Sequence, residues 1–217
     1  MAKRTRAARI YVLAGTNGAG KSSIGGAMIS ESGGEFFDPD EAARRIRSAN
    51  PGISQTEANS AAWHEGKRLL ERAIAEKLDY AFETTLGGQS IPSLLRRALA
   101  EGIEVRVWYV GLDGVELHIQ RVRARVGLGG HDIPEERIRE RYTQSRLHLI
   151  ELLPNVTELM LYDNTEEADP SAGATPRPRL ILHLVRGEIV ELCDLSGVPE
   201  WAKPIVAAAR RPGEGNR

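Results

Sequence analysis

Short apolar runs alternate along this chain with longer stretches in which apolar residues recur at helical spacing. The apolar runs predict five β-strands, at residues 9–14, 35–38, 80–85, 105–110 and 156–162. The longer stretches predict helices at residues 23–29, 38–50, 58–78, 91–100, 115–126 and 134–152. Strands that alternate with helices favour right-handed crossovers and a parallel sheet with helices on both faces. The pattern therefore predicts an α/β fold.

The longest predicted helix, residues 58–78, is rich in alanine and amphipathic. Trp63, Leu70, Ile74 and Leu78 fall near one stripe of its surface. The apolar stripe of such a helix normally faces the core.

Beyond the fifth strand the composition changes. Residues 164–178 are rich in proline, small and polar residues, which predicts a linker. Two apolar runs follow, at 180–185 and 188–192, and their close spacing predicts a small β-hairpin. Residues 199–210 predict a last short helix that packs on the body of the protein.

These boundaries divide the chain into three parts. We expect a core over residues 9–163, which includes a helical lid at 115–150, and a C-terminal hairpin and helix over 179–210. The basic residues before position 9 predict a solvated tail.

Charge and cysteine content narrow the classes of function. The formal net charge is −1, from 29 Lys and Arg against 30 Asp and Glu, so we expect no nucleic-acid partner. A single cysteine, Cys193, excludes an internal disulfide framework and favours a reducing compartment. No apolar run approaches the roughly 18 residues of a membrane-spanning helix. We therefore expect a cytoplasmic protein without membrane association.

The most specific motif is a phosphate-binding loop after the first predicted strand. Gly15, Gly20, Lys21 and Ser22 complete the pattern G-x-x-x-x-G-K-[ST]. Glycines let the backbone curl with its N–H groups turned inward, and the following helix adds the partial positive charge of its N-terminus. The lysine brings a charge to the outer phosphates, and the serine hydroxyl is a ligand for Mg²⁺. The expected nucleotide contacts are Gly15, Thr16, Asn17, Gly18, Ala19, Gly20, Lys21, Ser22 and Ser23.

Two aspartates begin the helix that follows the second strand. Asp38 is in the position of a helix cap, and capping alone accounts for it as well as substrate binding does. Asp40 is not needed as the cap. A phosphoryl-transfer site requires a carboxylate to accept the proton of the attacking hydroxyl, and Asp40 is our candidate for that base.

Glu83, Thr84 and Thr85 end the third predicted strand with a carboxylate and two hydroxyls. Substrate contact or indirect support of Mg²⁺ is one interpretation, and an ordinary strand-end turn is the other. In parallel sheets ligands bind at the carboxyl ends of the strands. We therefore expect these residues, the phosphate loop and the two aspartates to meet at one edge of the sheet.

Arginines mark the next pair of helices. A spacing of four places Arg121 and Arg125 on one helix face, with Arg123 pointing away. Like charges on one face are costly unless an anion joins them, and a triphosphate is such an anion. A glycine-rich loop, 127–133, separates this helix from the next and suggests a lid that closes over the phosphates.

A second arginine cluster follows that loop. Arg137, Arg139 and Arg141 are interleaved with glutamates, which is typical of a solvated face laced with ion pairs. Arg141 is the member that we expect to contact substrate. His131, at the end of the loop, is either a phosphate donor or a turn residue.

Four segments resemble the zeta toxin family of P-loop kinases. They are AGTNGAGKSS from Ala14, FFDPDEAARRI from Phe36, FETTLGG from Phe82 and RVGLGGHDIPEERIRERY from Arg125. LYDN, at Leu161 to Asn164, also fits. The order and spacing of these segments over residues 10–165 are more specific than the phosphate loop alone, and the loop after Arg125 resembles the branch of the family with a GGH motif.

The resemblance implies an adenylate-kinase-like parallel sheet with a lid, and phosphorylation of a hydroxyl by ATP with Mg²⁺. Well-known members of the family phosphorylate UDP-N-acetylglucosamine and act as the toxin of a toxin–antitoxin pair, so a nucleotide sugar and an antitoxin protein are the implied partners. Matched by motif, Lys21 and Ser22 hold ATP and magnesium, Asp40 is the catalytic aspartate, and Arg121 is the first lid arginine. The place of the second is taken by His131, so Arg125 and His131 remain alternatives.

Two other hypotheses stay open. A kinase of this fold is also compatible with a nucleoside or a polynucleotide end as acceptor. A nucleotide switch or NTPase without an acceptor requires the phosphate loop but no base at position 40.

Overall fold

The computed structural model describes residues 6–21, 25, 36–130, 132–166 and 178–211. The strands are β1 (Arg9–Ala14), β2 (Phe36–Phe37), β3 (Tyr80–Thr84), β4 (Glu104–Gly111), β5 (Glu158–Asp163), β6 (Arg179–Val185) and β7 (Glu188–Leu192). The helices are α1 (Pro39–Ala49), α2 (Gln55–Glu76), α3 (Ser90–Ala100), α4 (Val115–Gly127), α5 (Glu135–Leu152) and α6 (Lys203–Ala209), with a short 3₁₀ helix at Leu195–Gly197.

The described strands form one sheet in the order β2-β3-β1-β4-β5-β6-β7. β2, β3, β1, β4 and β5 are parallel, whereas β6 and β7 are antiparallel. β1 lies between β3 and β4, and its residues Ile10 to Ala14 are at most 1% exposed. A strand covered on both faces needs apolar side chains at successive positions, which this run supplies. The phosphate loop therefore leaves the sheet at its centre.

The fold class and the order of strands and helices predicted from the sequence are confirmed, with element ends that differ by a few residues. The helix predicted at 23–29 lies outside the described residues, apart from Gly25. α2 begins at Gln55 rather than Ala58 because Ser54, its N-cap, and Glu57, in its first turn, form a capping box.

The expected apolar stripe of α2 is only partly correct. Leu70 and Ile74 are fully buried, but Trp63 is 43% exposed and Leu78 is 42% exposed. The row that packs inward carries small residues at its N-terminal end, including Ala58, Ala62 and Gly66. Trp63 lies one position, about 100°, further around the helix, so small side chains bring α2 close to its neighbours and leave the indole outside the core.

The described end of the predicted N-terminal tail, at Arg6 and Ala7, is exposed as expected, but it is anchored. Arg6 forms an ion pair with Asp79 at 2.8 Å, and the main-chain N–H of Arg9 donates to the same carboxylate at 2.8 Å. Asp79 thus ties the start of β1 to the chain just before β3. Residues 1–5 lie outside the described part of the chain.

The C-terminal segment extends the core. β6 pairs antiparallel with β5, and β7 with β6, so the predicted hairpin is confirmed and widens the same sheet. The predicted last helix is α6, which buries Ile205 and Val206. Trp201, just before it, stacks on Tyr109 of β4 with ring centroids 6.2 Å apart. None of the described helices has both the length and the apolar character needed to cross a membrane.

Candidate active site

A cavity of about 840 Å³ lies at the carboxyl ends of the parallel strands. Most of the residues singled out in the sequence line it: Asn17, Gly18, Gly20, Lys21, Asp38, Asp40, Glu83, Thr84, Thr85, Arg121, Arg125 and Arg141. Gly15, Thr16 and Ala19 belong to the same loop but do not line the cavity. Ser22, Ser23 and His131 lie outside the described residues.

The loop after β1 needs glycine for two different reasons. Gly15 has a φ of +142°, and a Cβ there would lie 2.2 Å from the carbonyl oxygen of Val110. Gly18 has a φ of +80°, and a Cβ there would lie 2.5 Å from the carbonyl oxygen of His118. Positive φ and close backbone approach both exclude larger residues. The curled loop is thus wedged between β4 and α4.

Lys21 is held inside this loop. Its Nζ donates to the carbonyl oxygen of Gly15 at 2.8 Å and lies 3.3 Å from a carboxylate oxygen of Glu83. Burial raises the pKa of the Glu83 carboxyl, the nearby ammonium of Lys21 opposes that shift, and Asp38 and Asp40 add to it. The Lys21 side chain is only 7% exposed, so the protein itself holds the lysine ammonium at the base of the cavity.

The two aspartates have different surroundings. Asp38 caps α1, since its Oδ1 accepts from the main-chain N–H groups of Asp40 and Glu41 at 2.8 and 3.3 Å. This capping contact was one of the two interpretations of Asp38. The Asp40 side chain is about half exposed, and one carboxylate oxygen lies 3.6 Å from Arg125 Nη1. The cap therefore fixes the first turn of α1 and leaves the Asp40 carboxylate at the cavity.

The hydroxyls that end β3 support a turn. Thr84 Oγ1 accepts from the main-chain N–H of Leu86 at 3.0 Å, and Thr85 Oγ1 accepts from that of Gly87 at 3.4 Å. Leu86 adopts a φ of 55°, a conformation that needs such support in a residue other than glycine. The strand-end turn is therefore present, and both threonines also line the cavity.

Arg121 and Arg125 face the cavity as their spacing predicts, and Arg123 points away to pair with Glu135. Arg121 donates to the carbonyl oxygens of Asn164 and Thr165 at 2.9 and 3.2 Å. It is thus fixed to the chain just after β5. On Arg125, Nε and Nη2 are shielded from solvent and have no hydrogen-bond partner among the described residues.

Asn164 is a site residue that we had assigned to the linker. Its side chain donates to the carbonyl oxygen of Ala19 at 2.9 Å, its main-chain N–H donates to that of Gly111 at 3.0 Å, and it is 5% exposed. The linker prediction at 164–178 is therefore wrong at its start, because composition does not reveal that Asn164 joins the phosphate loop to β4. LYDN was the one signal that included it. Residues 167–177 lie outside the described part of the chain.

His118 of α4 was not predicted. Its Nδ1 lies 2.8 Å from the carbonyl oxygen of Asn17, which accepts only, so this ring nitrogen carries the proton. The pKa of His118 is lowered to about 4, chiefly by burial and also by the nearby charges of Lys21, Arg121 and Arg146, against the effect of that hydrogen bond. A neutral histidine thus supports the phosphate loop from below.

The second arginine cluster divides between surface and cavity. Arg137 and Arg139 form exposed ion pairs with Glu140 and Glu116, as a solvated face would. Arg141 turns inward, donates to Asn17 Oδ1 at 2.8 Å, and its pKa is lowered by burial. It thereby links α5 to the phosphate loop.

Magnesium was expected with the nucleotide. Among the described residues, no three His, Cys, Asp or Glu side chains are grouped as metal ligands. Mg²⁺ bound with a nucleotide needs only one or two carboxylates beside phosphate oxygens and waters. The carboxylates of Asp38, Asp40 and Glu83 around the cavity fit that requirement.

Comparison with known sequences finds matches over the part of the chain that contains the cavity residues. Residues 2–168 match the zeta toxin family. A protein of Haemophilus influenzae described as uncharacterized is 33% identical over 128 residues, which cover 59% of this chain and 88% of the relative.

Solved structures share the fold. AvrRxo1-ORF1 with AvrRxo1-ORF2 and ATP superposes with a TM-score of 0.65 at 14% identity, over 97% of this chain and 66% of that chain. This chain thus spans less than two thirds of that protein. A structure from the PezAT chromosomal toxin–antitoxin system of Streptococcus pneumoniae gives a TM-score of 0.52 at 16% identity, over 80% of this chain and 76% of that chain. At these identities the likeness concerns the fold.

Proposed function

The chain belongs to the zeta toxin family, and from that premise we propose that it transfers the γ-phosphate of ATP to a hydroxyl of a UDP-amino sugar such as UDP-N-acetylglucosamine. Its fold is that of a P-loop kinase. AvrRxo1-ORF1, a structural neighbour, was solved with ATP. The two proposed partners of the reaction are therefore ATP, bound on the phosphate loop, and a nucleotide sugar with a free hydroxyl.

One observation carries the proposal. A buried lysine in a phosphate loop and an accessible carboxylate, Asp40, border the same cavity, and Arg125, which also lines it, lies 3.6 Å from that carboxylate and has two guanidinium nitrogens shielded from solvent. Guanidinium N–H groups that are shielded from solvent favour a partner that accepts their hydrogen bonds. An anionic phosphate is the ligand that would satisfy them, bidentate with Arg125. The carboxylate beside them is the kind of group that phosphoryl transfer to a hydroxyl needs as a base.

In the proposed reaction each residue has one task. Lys21 and the N–H groups of its loop hold the terminal phosphates, and Arg121 and Arg125 stabilise charge on the transferred group. Asp40 accepts the proton of the acceptor hydroxyl. The hydroxyl oxygen then bonds to phosphorus as the bond to ADP breaks, so that ADP, the phosphorylated sugar and one proton result.

Magnesium, when bound, neutralises phosphate charge and aligns the donor. We assign its protein ligands to Ser22 and to one carboxylate among Asp38, Asp40 and Glu83. We also propose that Ser23 and His131 contact the phosphates of the nucleotide. An antitoxin protein is the proposed partner of the chain, because the PezAT neighbour belongs to a toxin–antitoxin system.

A product screen tests the proposal. The protein is incubated with ATP and Mg²⁺ against UDP-N-acetylglucosamine, other nucleotide sugars, free N-acetylglucosamine, nucleosides and a short oligonucleotide, and products are read by mass spectrometry. We expect ADP and a product one phosphate heavier with a UDP-amino sugar. A phosphorylated nucleoside or oligonucleotide would instead support a kinase whose acceptor is a nucleoside or a polynucleotide end. ATP hydrolysis at the same rate with every acceptor, and no heavier product, would favour an NTPase.

A further inference from the structure

A tryptophan of α2 lies on the wall of the cavity. It has no task in the proposed phosphoryl transfer. Trp63 is 43% exposed and lines the cavity. A single exposed apolar side chain is ordinary on a protein surface, so exposure alone implies nothing. This indole, however, lies inside a cavity of ligand size, where a rigid aromatic plane is a binding surface.

The fold does not need Trp63 for packing. α2 contacts the sheet through a neighbouring row that includes Gly66, where a Cβ would lie 2.6 Å from the ring of Phe37 in β2. Asn59, Trp63 and Lys67 instead follow a separate row at a spacing of four, and all three line the cavity. The indole thus lies between an amide and an ammonium on a ligand-facing row.

The position of Trp63 identifies the ligand that it would meet. β2 and β3 lie on one side of β1 in the sheet, and β4 and β5 lie on the other. α2 packs over β2 and β3, whereas Arg121 is fixed to the chain after β5. Asp40, the proposed base, lies in the first turn of α1, which directly follows β2. The acceptor hydroxyl must reach that base, so the wall beside Trp63 belongs to the acceptor.

We propose that Trp63 is the stacking platform for the nucleobase of the acceptor. The inference rests on the proposed function and deepens it: the enzyme selects nucleotide-linked acceptors over free sugars because the base is bound against the indole. Base–aromatic stacking uses the π-face that every nucleobase has. Trp63 therefore favours acceptors that carry a nucleobase but does not discriminate between bases. Lys67 in the same row, whose ammonium is 3.1 Å from Glu71 in a partly exposed ion pair, is the nearest cation of the row for a diphosphate.

Binding of UDP tests the proposal apart from catalysis. Isothermal titration measures UDP binding with Mg²⁺ and a saturating non-hydrolysable ATP analogue, which occupies the phosphate loop. We expect Trp63→Ala to weaken UDP binding at least about tenfold and Trp63→Phe to keep it within about threefold, because phenylalanine retains an aromatic face. His64→Ala is the matched control. The His64 ring packs edge-on against the indole, with ring centroids 4.9 Å apart, but His64 does not line the cavity.

The outcomes separate this inference from the proposed kinase activity. UDP binding that Trp63→Ala leaves unchanged, or that His64→Ala weakens equally, overturns the platform even if UDP-sugars are phosphorylated. Absence of UDP binding to the wild type overturns it as well. Dependence of N-acetylglucosamine 1-phosphate binding on Trp63, with UDP binding unaffected, would assign the indole to the sugar and also contradict the proposal. Trp63-dependent UDP binding supports it even if no nucleotide sugar is phosphorylated.

Discussion

The two sides of the cavity differ in how their polar groups are held. On the β5 side, Asn164 and His118 are buried and bonded to the phosphate loop at 2.9 and 2.8 Å. On the β2 side, Asp40 and Arg125 are 48% and 41% exposed and 3.6 Å apart. The first side is held in place by hydrogen bonds of buried side chains within the protein itself. The second is adaptable, and we infer that the acceptor and the transferred phosphate complete it.

The contrast predicts where substitutions will cost folding stability. Buried hydrogen bonds that leave a partner unsatisfied cost far more than exposed ion pairs. Variants on the β5 side should therefore destabilise the protein, and variants on the β2 side should change activity while the fold is kept.

Asn164→Asp should give the largest loss. The two side chains have the same shape, but a carboxylate cannot donate to the carbonyl oxygen of Ala19 and would be buried against it. We expect the free energy of unfolding to fall by about 3 kcal/mol at pH 8, with a higher KM for ATP. Urea denaturation and steady-state kinetics measure the two effects. A loss below about 1 kcal/mol would show that this side is not held as we describe.

His118→Asn should change the response to acid. Below its unfolded-state pKa of about 6.5 the unfolded chain binds a proton that the native histidine, with a pKa of about 4, does not. Wild-type stability therefore falls as pH decreases from 6.5 towards 4. Asparagine keeps a donor for the carbonyl oxygen of Asn17 but does not titrate.

The comparison is made by urea denaturation of both proteins at pH 7.5 and 5.0. We expect the wild type to lose about 2 kcal/mol more than the variant over this interval. Equal losses would mean that His118 is not held neutral in the native state.

Arg125→Ala should have the smallest effect on stability. Its ion pair with Asp40 is exposed, so we expect a change below about 1 kcal/mol, together with at least a tenfold fall in kcat because the proposed phosphate contact is removed. Arg123→Ala, which removes another exposed ion pair from the same helix on the opposite face, should leave both quantities nearly unchanged. A large loss of stability in Arg125→Ala would contradict the prediction that substitutions on the β2 side leave the fold intact.

Local patterns explain why much of this site was predictable. Gly15 to Lys21 form a continuous motif, and the cap at Asp38 places Asp40 two residues later. The β5 side was not predictable in the same way, since its bonds join distant segments: Asn164 contacts a residue 145 positions away, and His118 contacts one 101 positions away. Trp63 falls near the predicted apolar stripe of its helix, and periodicity does not reveal that small residues in the adjacent row do the packing.

The most direct test of the account compares Asp40→Asn with the wild type in a single-turnover transfer of labelled γ-phosphate from ATP to UDP-N-acetylglucosamine, with ATP affinity measured in parallel. Asp38 supplies the cap of α1, so the variant should fold normally and bind ATP within about threefold of the wild type. If Asp40 is the base, transfer should fall by a factor of about 10² to 10⁴. Transfer at the wild-type rate in the variant would contradict the assignment of Asp40.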